Sequence, residues 1–212
     1  YPGGSAPPLS SALNYVADGL KRVKAEFGTA EIGAIGSAMS TVEELHLLAK
    51  LMRSMGSESI DHRSRHADFG NVATAGKARW LGTSIASLSQ LDRALVIGSF
   101  LRKDHPLFAQ RLRQACRRGA QVMSLQAVHD DWAMPVAAKM TATPSAWADA
   151  LAQIAAAVAV SKGVPPPAPA DAGAEAKAIA AALLSGEKRA LLLGNAAAQH
   201  PQASQLLALA QW

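Results

Sequence analysis

The feature that most constrains the fold is a series of short apolar runs, each followed by a longer segment with apolar residues at helical spacing. The runs at 94–97, 120–125 and 189–193 are apolar at most positions, so a strand formed from one of them would be buried on both faces. Such strands, alternating with helices, are typical of a parallel sheet covered by helices. We therefore predict an α/β fold with a parallel sheet covered by helices.

Capping signals predict where the helices begin and end. Gly28, Gly56, Gly119 and Gly163 each follow a helical pattern, as glycines do after helix C-termini. The sequence STVEE at 40–44 offers a capping box, either Ser40 with Glu43 or Thr41 with Glu44. The mixed segment 63–86 is predicted to be a long loop. Predicted helices cover 13–27, 40–56, 105–119, 143–163, 174–184 and 201–210, and predicted strands lie within 31–37, 57–62, 94–97, 120–125, 136–142 and 189–193.

A proline-rich stretch, GVPPPAPADAG, indicates a stiff spacer near the C-terminus. We expect a Rossmann-like unit at 1–163, a linker at 164–172 and the truncated start of a second α/β unit at 173–212. A helix, a strand and a helix cannot complete a sheet of their own. Residues 173–212 should therefore either borrow an edge of the first sheet or pair with another copy. Because the chain starts without Met and stops directly after an amphipathic run, we expect it to be a piece of a longer protein.

Charge and composition exclude several classes of protein. The formal net charge is +5, but only 17% of residues are charged and 5% are aromatic, whereas nucleic-acid binders usually combine a dense basic face with stacking aromatics. We predict no nucleic-acid partner and expect attraction to an acidic protein surface. The longest apolar stretch, 147–160, is interrupted by Asp149 and Gln153 and is too short to cross a bilayer. With Cys116 as its one cysteine, the chain can hold neither a disulfide nor a four-thiolate cluster.

One phrase occurs twice, as RALVIGSFLRKDHP at 93–106 and RALLLGNAAAQHP at 189–201. In each copy we expect a strand, then a glycine, a small polar residue and a helix that begins at His-Pro. This arrangement would place Ser99 and Asn195 at the carboxyl ends of parallel strands, where ligands bind in open α/β sheets. Alternatively, the glycines only turn the chain and the prolines only begin helices. Neither copy contains GxGxxG or a P-loop, so these residues alone favour the structural role.

Other candidate residues also favour structural roles. His62 and His66 have metal-pair spacing, but no Glu lies between them and no third ligand is evident. We expect instead that Arg63 and Arg65 of this loop pair with carboxylates or with a partner subunit. The side chains of Asp130–Asp131 would point apart in an extended loop, which favours turn or capping roles over acid-base catalysis. Cys116 occupies an inner helical position and is predicted to pack as a hydrophobe.

The segment IGSFLRKDHPLFAQRLRQACRRGAQVMSL resembles the GSnPxxxHPxxxxRxxxAxxxGaxV pattern of the molybdopterin oxidoreductase superfamily. It is most similar to the large peripheral-arm subunit of the bacterial NADH-quinone oxidoreductase, respiratory complex I. The stretches GSESIDHRSRHADF, ARWLGTSIASLSQLDRALVIGSFLRKDHP and DDWAMPVAAKM are similar to that subunit in the same order, and KRALLLGNAAAQHPQASQLLALAQW resembles the start of its next Rossmann-like unit. The resemblance covers 10–212 and implies that the phrase recurs because two related units are joined in tandem.

The resemblance implies a non-catalytic structural domain of an electron-transfer subunit. Iron–sulfur clusters are expected in a cysteine-rich region amino-terminal to this chain, and the chain itself is expected to hold no cofactor, no metal and no catalytic residue. No molybdenum-ligating loop can be matched here. Ser37, Ser99 and Asn195 would be vestiges of the place where a pterin nucleotide lies in active relatives. Implied partners are the other subunits of the peripheral arm, on the cytoplasmic face of the bacterial inner membrane, without direct membrane insertion.

Two other interpretations remain open. The chain could be a domain of an active molybdopterin enzyme similar to formate dehydrogenase, with Ser99 and Asn195 in contact with the pterin nucleotide. It could also be a stand-alone α/β module similar to the middle domain of thiamine-diphosphate enzymes, although the tandem phrase favours the other two. All three interpretations predict much the same sheet.

Overall fold

A computed structural model describes residues 8–37, 39–62, 68, 70 and 81–212. It divides the chain into two compact units, Tyr1–Arg65 and His66–Trp212. The helices are α1 (Leu9–Phe27), α2 (Val42–Met55), α3 (Leu101–Asp104), α4 (Pro106–Cys116), α5 (Trp147–Lys162), α6 (Ala174–Leu184), α7 (Asn195–Ala198) and α8 (Ala203–Gln211). The strands are β1 (Ala34–Ile35), β2 (Ile60–Asp61), β3 (Arg93–Ile97), β4 (Gln121–Gln126), β5 (Ala138–Thr141) and β6 (Arg189–Leu193).

The first unit contains α1, α2 and a two-stranded parallel sheet of β1 and β2. Of the two possible capping boxes, the structure forms the one between Thr41 and Glu44, in which each side chain accepts a hydrogen bond from the other residue's backbone N–H. Gly56 ends α2 in the left-handed conformation, at φ 89°. The segments that lead into the two strands are also linked, because the Ser57 hydroxyl donates to the Ile32 carbonyl at 2.6 Å.

The second unit is built on a four-stranded sheet with the order β5-β4-β3-β6, in which every neighbouring pair is parallel. This confirms the predicted α/β class. Two short 3₁₀ turns, Ile85–Gln90 and Pro144–Ala146, precede β3 and α5. In the part of the chain that the structure describes, no helix is long and apolar enough to span a membrane.

The segment after the proline-rich stretch 164–172 pairs with the sheet formed by the residues before it. The strand β6 lies in register with β3, Arg93 opposite Arg189 and Ile97 opposite Leu193, so residues 173–212 contribute an edge strand to the same sheet. Of the two arrangements expected for this segment, it adopts the first and borrows an edge of the sheet. The physical reason is burial, because β6 alone could not cover its leucines.

Both faces of the sheet are covered by helices. Leu95 and Ile97 of β3 contact a core formed with α5, α6 and α8, whereas Ala94 and Val96 face a second core formed with α4. This alternation of side chains across a strand explains why the run is apolar at successive positions. The alanine-rich helices α5 and α6 pack on each other, and ten of the sixteen residues of α5 are buried.

Two helices begin later than the sequence predicts. Thr143 makes no capping hydrogen bond, and its hydroxyl lies 3.2 Å from that of Ser145, so a 3₁₀ turn precedes α5. The helix α8 starts at Ala203, two residues after Pro201, because the short helix α7 occupies the chain just before it. By contrast, Pro106 is the first residue of α4 as predicted.

Candidate ligand site at the carboxyl edge of the sheet

The strand order identifies where a ligand would bind in a sheet of this type. The chain passes outward from β3 to β4 and β5, and then returns to the other side of β3 to form β6. The direction of winding therefore reverses between β3 and β6. In open α/β sheets ligands bind outside the carboxyl ends of the two strands that flank such a reversal.

The two copies of the repeated phrase form the two strands at this point. In each copy the strand is followed by a glycine, a four-residue helix and a His-Pro pair. The backbone N–H of Gly194 donates to the Ile97 carbonyl at 2.8 Å, and that of Ala196 donates to the Gly98 carbonyl at 3.1 Å. The structure thus brings the segments after β3 and β6 together. The repetition marks two neighbouring strands of one sheet.

The space between these two segments is filled by protein atoms. Gly98 has φ 63°, and a Cβ atom on it would lie 2.7 Å from the Trp147 ring and 2.8 Å from the Ala197 backbone nitrogen. A Cβ atom on Gly194 would collide with the Cβ of Ser99. Both glycines are therefore required by close contact with other parts of the chain. A ligand whose phosphates must contact the backbone at Gly98 or Gly194 would have no room, because other protein atoms occupy the space beside these glycines.

The buried polar groups at this edge are paired with one another. Ser99 is 3% exposed, and its hydroxyl donates to Asp104 Oδ2 at 2.8 Å. Gln126, also buried, donates from Nε2 to the Ser99 carbonyl at 3.0 Å. Among the described residues, no buried side-chain nitrogen or oxygen lacks a partner. Within that part of the chain, no buried side-chain atom is left over to bind a deeply seated ligand.

His200 fastens the second copy of the phrase to the start of α5. Its Nδ1 accepts from the Gln202 backbone N–H at 2.9 Å, so the proton is on Nε2, which donates to the Pro144 carbonyl at 2.8 Å. The ring is buried and stacks on Trp147 with centroids 5.8 Å apart. This role was not predicted from the sequence, although the recurrence of His before Pro was the available signal.

The three residues predicted to be vestigial have different surroundings. Asn195 is exposed and begins α7, whereas Ser99 is buried against Asp104. Ser37 belongs to the other compact unit, where its hydroxyl oxygen accepts from the Met39 backbone N–H at 3.1 Å. Within the second unit, the structure brings together the strand ends that bear Ser99 and Asn195.

The remaining candidates have structural contacts. Asp131 accepts from the Ala133 backbone N–H and pairs with Arg102 at 2.8 Å, and these contacts, the backbone hydrogen bond first, lower the pKa of its carboxyl. Cys116 packs beside the α4 core, and burial raises the pKa of its thiol. The described residues include no group of three or more His, Cys, Asp or Glu side chains arranged for a metal. Arg63, Arg65 and His66 lie outside the described residues.

A pterin nucleotide at the carboxyl edge does not fit the residues present. It would require open space beside Gly98 and Gly194 and polar groups directed into that space. The structure instead has Trp147 and Ser99 in those positions and satisfied polar groups around them. Of the two polar side chains that follow these strands, Asn195 is exposed and Ser99 is not.

Comparison with solved structures supports the fold. The chain resembles acetylene hydratase from Pelobacter acetylenicus, with a TM-score of 0.63 and 14% sequence identity. The alignment covers 97% of this chain and 33% of that protein. At this level of identity the likeness concerns the fold alone.

Sequence comparison identifies the family. The probable oxidoreductase YjgC of Bacillus subtilis is 34% identical over 119 residues, and a formate dehydrogenase-like protein of Staphylococcus haemolyticus is 33% identical over 118 residues. Each match involves 53% of this chain but only 12% of the relative's length. Residues 10–211 match the family described as molybdopterin oxidoreductase. With that match extending over nearly the whole sequence and the expected parallel sheet in place, the chain belongs to the molybdopterin oxidoreductase family.

Proposed function

We propose that this chain is a non-catalytic scaffold domain within the large peripheral-arm subunit of an NADH:quinone oxidoreductase, the enzyme that couples electron transfer from NADH to quinone with proton translocation. The observation that carries this proposal is the closed carboxyl edge, where Ser99 and Trp147 fill the space beside Gly194 and Gly98. In open α/β sheets a ligand uses the space outside these strand ends. Here the same residues hold two strands and three helices together.

In this role the polar residues at the carboxyl edge form hydrogen bonds with other protein groups. Asp104 fixes the Ser99 hydroxyl, Gln126 fixes the Ser99 carbonyl, and His200 joins the chain after β6 to the turn before α5. Each contact restrains a strand end that in a ligand-binding sheet has to remain accessible. Redox chemistry would take place in the iron–sulfur region of the longer polypeptide. The partners would be other subunits of the peripheral arm, at the cytoplasmic face of the bacterial inner membrane.

A second candidate is a domain of an active, formate dehydrogenase-like molybdopterin enzyme. The Staphylococcus relatives, which are 32–33% identical over half of this chain, favour it because their names say formate dehydrogenase. In that case the exposed Asn195 would contact the pterin nucleotide from outside the closed edge, and Ser99 would have to leave Asp104 to do so.

The two candidates differ in the metal content and substrate of the complete protein. We would purify the full-length natural protein with its partner subunits, quantify iron and molybdenum, and measure pterin fluorescence after oxidation. Scaffold function predicts iron without molybdenum or pterin, together with NADH-dependent quinone reduction. Stoichiometric molybdenum and pterin with formate-dependent dye reduction would refute it.

A variant pair sharpens the same test. Asn195→Ala should leave NADH-dependent quinone reduction unchanged, as should Gln199→Ala, an exposed control four residues away. A selective loss of formate-dependent activity in Asn195→Ala would instead assign this side chain to a cofactor contact and support the second candidate.

A further inference from the structure

The strand β6 is an open edge of the four-stranded sheet. It pairs with β3 on one side, and no described strand pairs with its other side. The Lys188 carbonyl accepts from the Arg93 N–H, and the Gly194 N–H donates to the Ile97 carbonyl. The backbone groups of Lys188 and Gly194 therefore point toward β3. Because these groups alternate along a parallel strand, those of Arg189, Leu191 and Leu193 point outward. They form a ladder that an added strand can use.

Two grooves flank this edge, one on each face of the sheet. The first has a volume of about 490 Å³ and is lined by Leu191 and Leu192 of β6 together with Leu81 and Leu91. The polar residues Thr83, Ser87 and Gln90 also line it. The second has a volume of about 270 Å³, and in it Leu191 lies beside side chains of α5, α6 and α8. The leucines of β6 are only half-buried as a result. An extended segment lying along β6 could place alternate apolar side chains into the two grooves.

The amino end of the same edge is basic. Lys188 lines the first groove, Lys162 lines the second, and Arg189 lines both. All three side chains are exposed, and within the described part of the chain none is in an ion pair. The opposite end of β6, at Gly194–Asn195, carries no charge. Two carboxylates, those of Asp92 and Glu187, also lie at the amino end, where Asp92 accepts from the backbone N–H groups of Glu187 and Lys188. With three cations against these two, the edge has one end of net positive charge and one neutral end.

We propose that β6 is a docking edge for an extended protein segment that is apolar along its length and acidic at the end that meets Arg189. The backbone ladder supplies the hydrogen bonds, the two grooves take the apolar side chains, and the three cations select the acidic end. This mode of binding concerns the edge beside β6 and is independent of the scaffold role proposed above.

The surface features favour a protein segment over other occupants. A polyanion such as nucleic acid would use the cations but would leave the leucine-lined grooves uncovered, and the groove residues include no aromatic side chain except Trp212. A second copy of β6 would bring leucines but no carboxylate to Arg189, because the strand RALLL contains no acidic residue.

The test uses the full 212-residue chain and two synthetic peptides. One peptide has the sequence Asp-Glu-Val-Val-Ile-Val-Val-Glu-Asp, which presents an acidic end in either strand direction, and its analogue has Lys at the four acidic positions. Binding is measured by fluorescence anisotropy with Arg189→Glu and with a matched control, Arg113→Glu, an exposed residue of α4 with the same change in charge. Tryptophan emission checks that each variant is folded.

We expect the acidic peptide to bind the natural chain and to protect the amide protons of Leu191 and Leu193 from exchange. Arg189→Glu should weaken this peptide at least about fivefold and strengthen the lysine analogue, whereas Arg113→Glu should change either affinity by less than about twofold. The proposal would be overturned if both variants lost the same peptide affinity or if the natural chain did not bind the peptide. It would also be overturned if dimerisation of the chain protected the same amides, or if a heparin fragment bound in place of the peptide.

Discussion

The substitution Gly98→Ala tests directly whether the carboxyl edge of the sheet is closed. Gly98 lies at the end of β3 with φ 63°, a conformation that costs a residue with a Cβ about 1–2 kcal/mol. The new methyl group would also lie 2.7 Å from the Trp147 ring and 2.8 Å from the Ala197 backbone nitrogen. Forcing an extra group into a packed region costs about 1–3 kcal/mol more.

The chain provides a matched control for the conformational part of this cost. Gly163 ends α5 with φ 66°, and nothing lies within 4 Å of the position of its Cβ. Gly163→Ala should therefore cost only the conformational part, about 1–2 kcal/mol. Gly98→Ala should reach about 2–5 kcal/mol in total. The difference between the two variants isolates the steric contact with Trp147 and Ala197.

Urea unfolding followed by tryptophan fluorescence is the suitable assay. All four tryptophans lie in the unit His66–Trp212, so the signal reports on the unit that contains both glycines. If the two variants lose the same free energy of unfolding within about 0.5 kcal/mol, the space beside Gly98 is not filled by the protein. That result would also remove the main support for the scaffold function.

Three further substitutions or reactions probe other contacts. His200→Ala removes the hydrogen bond to the Pro144 carbonyl and the stacking on Trp147. It should lower the free energy of unfolding in urea by about 1–3 kcal/mol. A decrease below about 0.5 kcal/mol would contradict the role of His200 in joining the chain after β6 to the start of α5. Backbone N–H groups of Lys188 and Glu187 lower the pKa of Asp92 below its ordinary 3.8. The stability that the Asp92 carboxylate contributes is therefore complete above that value and is lost as the pH falls through the lowered pKa. Asp92→Asn should remove this loss of stability in acid from the pH profile of unfolding. Burial raises the pKa of Cys116, so iodoacetamide should modify it more slowly than free cysteine at about pH 8, and equal rates would contradict its packing.

Several features could be predicted from local sequence because their physics is local. Apolar runs specify strands buried on both faces, and the bounds of α6 and β6 agree with the predicted 174–184 and 189–193. The glycines Gly28, Gly56 and Gly163 follow α1, α2 and α5 with positive φ as expected. The family resemblance, which rested on the order of several motifs, is confirmed for the molybdopterin oxidoreductases.

The neighbours of each strand were decided only by tertiary structure. A proline-rich spacer predicts a boundary, but the pairing of β6 with β3 depends on contacts between residues nearly a hundred positions apart, which no local pattern encodes. The same contacts decide the candidate site. In sequence, the absence of GxGxxG and of a P-loop favours a structural role for Gly98 and Gly194, but glycine permits both an open ligand crevice and close packing. The choice was made by Trp147, Ser99 and Ala197, which reach the glycines through the fold and fill the space that a ligand would need.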